Sequence, residues 1–409
     1  MTAPERRLSQ PEFIALMGML FATIAFSIDA MLPALPEIAD ELTPANPNLA
    51  QHIITSFVLG MGLGTLVAGP LSDTFGRRTV ILAGAALYIV STVVAYLAQS
   101  LEVLLAARLI QGIGAAGPRT VTIAIIRDLY SGRTMAKILS FCMLVFTLFP
   151  AVAPMLGQWI IDLSSWRGIF LAFIAFSVFS ASWMALRQPE TLPAERRLPL
   201  RPRVLWAGIV EVLSKRQVVL TIATLSLCFG MLFSVLVSVQ PVFQHTFGEH
   251  ENFPYWFAGI ALVSGTSSIL NASLVERLGM RFLVSATLAV QIVLSGAMAL
   301  AAGLGMLEGE SYFWAYLFWT TSVFFMAGLT MGNLNALAME PLGHIAGLAA
   351  SVVSSVATIC SVIIAAPIGQ AFDGTPVPVA LGICACAVVA LALMMFNRAQ
   401  VVRAPLTHP

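Results

Sequence analysis

Apolar residues run along this chain in long stretches, each bounded by charge or by Pro and Gly. The stretches fall near 13–35, 53–72, 79–98, 103–126, 137–161 and 168–186, and then, beyond a polar segment at 187–217, near 218–243, 255–275, 282–303, 312–338, 346–371 and 377–396. A helix of about 20 apolar residues crosses the roughly 30 Å hydrocarbon core of a bilayer. These runs are too long and too numerous to form one buried core. Lipid offers no partner to a backbone N–H or C=O, so each run is predicted to be a helix that satisfies itself. The expectation is an all-α polytopic membrane protein of twelve transmembrane helices in two six-helix bundles. The bundles occupy 1–186 and 218–396, with a cytoplasmic linker at 187–217 and a cytoplasmic tail at 397–409.

Composition supports lipid as the solvent: 58% of the 409 residues are hydrophobic and 10% are charged, with a mean hydropathy of +0.90. A net charge of +1 leaves no basic surplus for nucleic acid. Placement of charge matters more than its total. With both termini cytoplasmic, every Lys and Arg of the chain lies inside except Arg167, which is outside, and Arg108 and Arg119, which fall within a helix. Arg6 and Arg7 precede a run too long for a signal peptide, which is read as the first span. The five cysteines all sit in apolar segments, where packing is their expected role and neither a disulfide nor a metal site is.

Folding the chain at its polar middle exposes an internal repeat. The loop LSDTFGRR (71–78) matches LVERLGMR (274–281) at an offset of 203 residues, pairing Leu71, Asp73, Gly76 and Arg78 with Leu274, Glu276, Gly279 and Arg281. FSIDAMLP (26–33) corresponds to FSVLVSVQP (233–241), and APMLGQ (153–158) to APIGQ (366–370). Two halves of like orientation follow, an architecture common among secondary transporters, which bind substrate near the midplane between repeats.

These features together resemble the major facilitator superfamily over about residues 13–398. GPLSDTFGRR (69–78) is similar to its signature between spans 2 and 3. The resemblance implies that Gly69 and Gly76 allow tight turns while Asp73, Arg77 and Arg78 latch the cytoplasmic side, with Asp128 as a partner for Arg77. Thr74 stands where a basic residue is usual. RLIQGIGAAG (108–117) resembles the span 4 motif of drug:proton antiporters, and VAPMLGQ (152–158) resembles their span 5 motif through Ala153, Pro154 and Gly157. Here Ala153 and Gln158 replace glycines. Asp29-x-x-Leu32-Pro33-x-Leu35-Pro36, with RDLY (127–130) and SWRGIF (165–170), resembles the bicyclomycin-resistance and chloramphenicol-florfenicol exporter (Bcr/CflA) branch. That branch implies a monomeric exporter of the bacterial inner membrane, working with protons and membrane lipids and without a cofactor.

A charge inside a helix costs at least about 2.5–3.5 kcal/mol, so Asp29, Arg108 and Arg119 are functional candidates on physical grounds alone. Asp29 lies seven residues before Pro36 and Arg108 seven residues into span 4, which places each about 10 Å below the outer surface. The two are expected to communicate, directly or through water. Burial and a neighbouring cation act oppositely on a carboxyl, so such a group is switchable by access or by substrate. Arg119 follows Pro118 about 16 Å deeper, and either binds substrate or pairs within the bundle. Gln111 and, from the second half, which has no charge at the matching depths, Phe229, Phe233, Gln240, Asn333 and Asn335 complete the candidate substrate cavity.

An ATP-driven pump would need a phosphate loop ending in Gly-Lys, and neither Lys137 nor Lys215 follows a glycine. The histidines are scattered, with no catalytic signature, so the chain is not read as an enzyme. The expectation is proton-coupled export of small lipophilic molecules. A uniporter or importer of a polar metabolite is the alternative, and a non-transporting sensor the remote one.

Overall fold

The computed structural model describes residues 8–249 and 251–401. Arg6, Arg7, His250, Arg403 and His408 lie outside the described residues. Long helices stand where the apolar runs predict them: α1 (Gln10–Asp29), α2 (His52–Phe75), α3 (Arg77–Tyr96), α4 (Leu101–Leu129), α5 (Gly132–Leu163) and α6 (Trp166–Arg187), then α7 (Arg216–His245), α8 (Phe253–Leu278), α9 (Met280–Gly303), α10 (Gly309–Met339), α11 (Ala346–Gln370) and α12 (Val377–Val401). Ten stretches among the described residues are long and apolar enough to cross a membrane, and one of them, Gly309–Gln370, comprises α10 and α11 joined across a kink. The chain divides into two compact units, Met1–Arg203 with Glu251–Gly259, and Val204–His250 with Ile260–Pro409.

In the first unit α4 packs on α2 and α3, α1 on α5, and α3 on α6. Glycines set the closeness of these pairs. A Cβ at Gly60 or Gly112 would run into main-chain atoms of the facing helix, Leu109 O and Phe57 O respectively, and one at Gly114 would meet Gly84 O. The glycines of the span 4 motif therefore let three backbones touch, the usual device where lipid provides no hydrophobic drive between helices. In the second unit α7 packs on α10, α11 and α12, and α9 on α10 and α12. The loop repeat has a backbone counterpart: Gly76 and Gly279 both cap the following helix with positive φ, 100° and 79°.

Two segments depart from the hydropathy reading. The first run does not stay helical to residue 35. α1 ends at Asp29, because Pro33 has no N–H to donate and its ring would strike the carbonyl four residues back, that of Asp29. A short 3-10 turn, Leu32–Ala34, and a helix, Leu35–Leu42, follow. The segment at 187–217 is not a featureless linker either, since Pro202–Ser214 is a helix. It is too short to span, and flanking arginines hide its apolar faces from a hydropathy window.

Candidate functional site

The early end of α1 creates an acceptor that needs a donor. Met31 N–H turns back to Ile28 O, at 3.3 Å, so the carbonyl of Ser27 loses the partner that a continuing helix would supply. Arg108 of α4 takes that place, with Nη2 donating to Ser27 O at 2.9 Å. Its Nε donates to Ile53 O of α2 at 3.2 Å and its Nη1 to Gln111 Oε1. The fully buried guanidinium also lies 4.5 Å from the centroid of the Phe57 ring. A cation at a helix C-terminus answers the negative end of the helix dipole, and the planar fork of arginine suits several acceptors at once.

The network reaches α3 as well. Gln111 Nε2 donates to Thr92 Oγ1 at 2.7 Å, and the Ser27 and Tyr88 hydroxyls lie 2.6 Å apart. Four helices thus share one buried polar cluster around a single positive charge. Sequence reading singled out Arg108 and Gln111 and missed Ser27, Tyr88 and Thr92. One signal for the last two was available: Tyr88 and Thr92 stand at the 203-residue offset from Gln291 and Ser295. That second pair is also buried and hydrogen-bonded, with Gln291 Nε2 donating to Ser295 Oγ at 2.9 Å and Trp319 Nε1 donating to the same oxygen at 3.0 Å.

Asp29, the last residue of α1, is only 6% exposed. No ion pair joins it to Arg108, so of the two expected routes, direct or through water, the direct one is not made here; among the described residues its carboxyl has no hydrogen-bond partner. The reason is directional: the guanidinium is spent on main-chain and amide oxygens, above all on Ser27, two residues earlier on the helix. From the other side α5 closes over the same point. Ala153 is buried and Pro150 and Pro154 lie within α5, while a Cβ at Gly157 would meet Ala30 O and come within 3.1 Å of Pro33 Cγ. The span 5 motif therefore rests on the Asp29–Pro33 turn. Arg119 is half-buried farther along α4, beyond Pro118.

At the other end of the first unit, Arg77 gathers the charges of the 69–78 motif. Nη1 reaches Asp73 Oδ1 at 2.5 Å and Ser72 Oγ at 2.6 Å, and Nε reaches Asp128 Oδ2 at 3.1 Å. Arg78 donates to Ala185 O at the end of α6. Thr74 bonds its own helix, Oγ1 to Pro70 O at 3.1 Å, and adds no charge. Gly69 is half-buried in the last turns of α2. A residue that the sequence did not suggest completes the cluster. Glu190, just past α6, accepts from Arg77 N at 2.9 Å and Arg78 N at 3.1 Å, so its carboxylate caps the positive end of α3. Thr191 Oγ1 donates to Asp128 at 3.1 Å. A side chain at Gly76 would collide with the Glu190 carboxylate.

In the second unit Phe229 and Phe233 stack on α7, with centroids 6.1 Å apart. Gln240 is buried and donates to Gln244 Oε1 at 3.2 Å. Asn333 donates to Asn271 Oδ1 at 2.7 Å, joining α10 to α8, whereas Asn335 bonds back to Met331 O of its own helix. Among the described residues no group of His, Cys, Asp and Glu is arranged to hold a metal ion.

A family model described as Major Facilitator Superfamily matches residues 15–365. A bicyclomycin resistance protein homolog of Haemophilus influenzae is 29% identical over 388 residues, covering 94% of this chain and 95% of its own. The multidrug resistance protein MdtL of Escherichia coli is 29% identical over 378 residues, covering 90% and 91%. Among solved structures, a D-xylose–proton symporter superposes with a TM-score of 0.72 at 15% identity over 93% of this chain and 97% of its own. The human organic anion transporter MFSD10 gives 0.65 at 17% identity over 96% and 99%. At those identities the structural likeness speaks to the fold alone.

Proposed function

The chain belongs to the major facilitator superfamily, and from that footing we propose that it exports small lipophilic molecules in exchange for protons, by alternating access. It is a membrane transporter of the bacterial inner membrane, not an enzyme. The observation that carries the coupling is Asp29: a carboxyl at the broken end of α1, almost wholly buried, without a hydrogen-bond partner among the described residues. A membrane-buried carboxyl that no fixed cation holds ionised is free to gain and lose a proton as access changes. Arg108 anchors the carbonyl two residues before it, and Gly157 seats α5 on the residue after it. Movement of α4 or α5 against α1 would thus alter what surrounds Asp29.

The names of the bicyclomycin-resistance and multidrug-resistance relatives support drug export, and the stacked Phe229 and Phe233 support a lipophilic substrate. In this reading the chain crosses the membrane twelve times, counting α10 and α11 separately and including α5, with both termini cytoplasmic. It works as a monomer. Arg119 in the first half and Phe229, Phe233, Gln240, Asn333 and Asn335 in the second are the proposed substrate contacts, whereas Gln111 is spent on Arg108 and Thr92. Arg77, with Asp73, Asp128 and Glu190, latches the cytoplasmic ends of the first-half helices.

The test reconstitutes wild-type and Asp29→Asn protein in vesicles holding a pH-sensitive dye, imposes a proton gradient and adds lipophilic drugs one at a time. Drug-evoked proton flux in the wild type that is lost in Asp29→Asn is the expected outcome. Undiminished flux in the variant refutes the Asp29 assignment. Uptake of a polar metabolite with no response to any drug refutes export.

A further inference from the structure

The helix Pro202–Ser214 lies outside the membrane spans, yet it has two apolar faces. One is used within the second unit: Val212 is buried, and Gly208 sits so close to Leu348 that a Cβ there would strike the leucine side chain. Glu211, its one acidic residue, is also taken up on that side, by His344 at 2.7 Å and Lys215 at 3.6 Å. The other face is open. Trp206, Val210 and Leu213 are 66%, 45% and 42% exposed, and with Ala207 they form one helical stripe at i, i+1, i+4 and i+7. An exposed tryptophan in such a stripe is out of place in water.

Charge and position say what covers it. Arg201 and Arg203 are exposed at the N-terminal end of the helix, and Lys215 and Arg216 follow its C-terminal end. From Arg196 to Arg216 there are six basic residues and one acid, Glu211. A single residue, Lys215, separates the helix from α7, so the stripe is tethered at the level where a membrane span begins. An apolar face carrying Trp, bordered by arginine and held at the lipid boundary, is the composition of a helix that lies in the headgroup region of an anionic leaflet. We infer that Pro202–Ser214 is an interfacial anchor that binds anionic phospholipid, with Trp206, Val210 and Leu213 among the acyl chains and Arg201 and Arg203 on the headgroups. This assignment is independent of what the protein transports.

The full-length protein is reconstituted in vesicles of dibrominated phosphatidylglycerol or dibrominated phosphatidylcholine. Fluorescence of Trp206→Phe is subtracted from that of the wild type, so that the difference reports Trp206 alone. Trp206 is expected to be quenched about twofold more in phosphatidylglycerol than in phosphatidylcholine. The excess should vanish in 1 M salt, where screening shortens to about 3 Å, and in Arg201→Gln/Arg203→Gln. The salt series requires no change to the arginines, so it decides the question even if the double variant does not fold. Equal quenching by both lipids, indifferent to salt, overturns anion recognition. Absence of quenching in either lipid overturns membrane contact altogether and points to a stripe covered by protein or facing the cytosol.

Discussion

Arg108→Lys isolates what the guanidinium fork contributes, because the buried charge is kept and the desolvation of a cation is common to both proteins. Arg108 donates through three separate nitrogens to Ser27 O, Ile53 O and Gln111 Oε1, acceptors on three helices. A lysine presents one nitrogen on a flexible stem, and it cannot serve acceptors spread around the rim of the guanidinium plane. Two of the three bonds are therefore lost. Hydrogen bonds from a charged donor contribute about 1.5–3 kcal/mol each, so the expected destabilisation is about 3–6 kcal/mol. Loss of the planar stack on Phe57 acts in the same direction. The buried thiols of Cys142, Cys228 and Cys386 provide the readout, since each is labelled only once its packing opens. Unfolding in mixed micelles of increasing denaturing detergent, followed by labelling of these thiols, gives the stability difference. A second arm pairs Arg108→Lys with Gln111→Leu, where the two losses should fall short of additive by about 1.5–3 kcal/mol, the value of their shared bond. An Arg108→Lys protein within about 0.5 kcal/mol of wild type would falsify the claim that the fork joins the helices.

Other outcomes follow from the same contacts. Gly157→Val places three carbons against the carbonyl of Ala30 and the ring of Pro33, so α5 should be pushed off the Asp29 turn, with about 1–3 kcal/mol of destabilisation and loss of proton flux in the vesicle assay. Gly76→Ala and Gly279→Ala share backbone strain of about 1–3 kcal/mol, but only Gly76 also faces a side chain, Glu190; in detergent unfolding Gly76→Ala should be the less stable of the two, and equal stability would remove the clash from the account. Glu190→Gln keeps the shape of the cap but loses its charge, and should lower stability by about 0.3–1 kcal/mol at low ionic strength, the deficit shrinking as salt is added.

Much of this molecule was determined by hydropathy. Lipid forces each apolar run to satisfy its own backbone, so the number and placement of the runs locate the helices to within a few residues, and the repeat pairs Gly76 with Gly279 before any coordinate is known. Local rules were readable in part: Pro33 supplies the steric reason for α1 to end at Asp29, but Pro118, Pro150 and Pro154 sit inside helices, so packing decides which proline breaks one. Three further things were decided only in three dimensions. Ser27 draws Arg108 through a main-chain carbonyl, which every residue has and which no motif marks. Glu190 reaches α3 across more than a hundred residues, and its partners are the backbone N–H groups of Arg77 and Arg78, again invisible in side-chain identity. Which face of Pro202–Ser214 is covered depends on where Leu348 stands, and helical periodicity alone treats both apolar faces alike. Patterns of side chains report the solvent each segment needs; the pairing of orphaned backbone groups and the choice between equivalent faces belong to tertiary packing, because their partners are set by distance in space and not by distance along the chain.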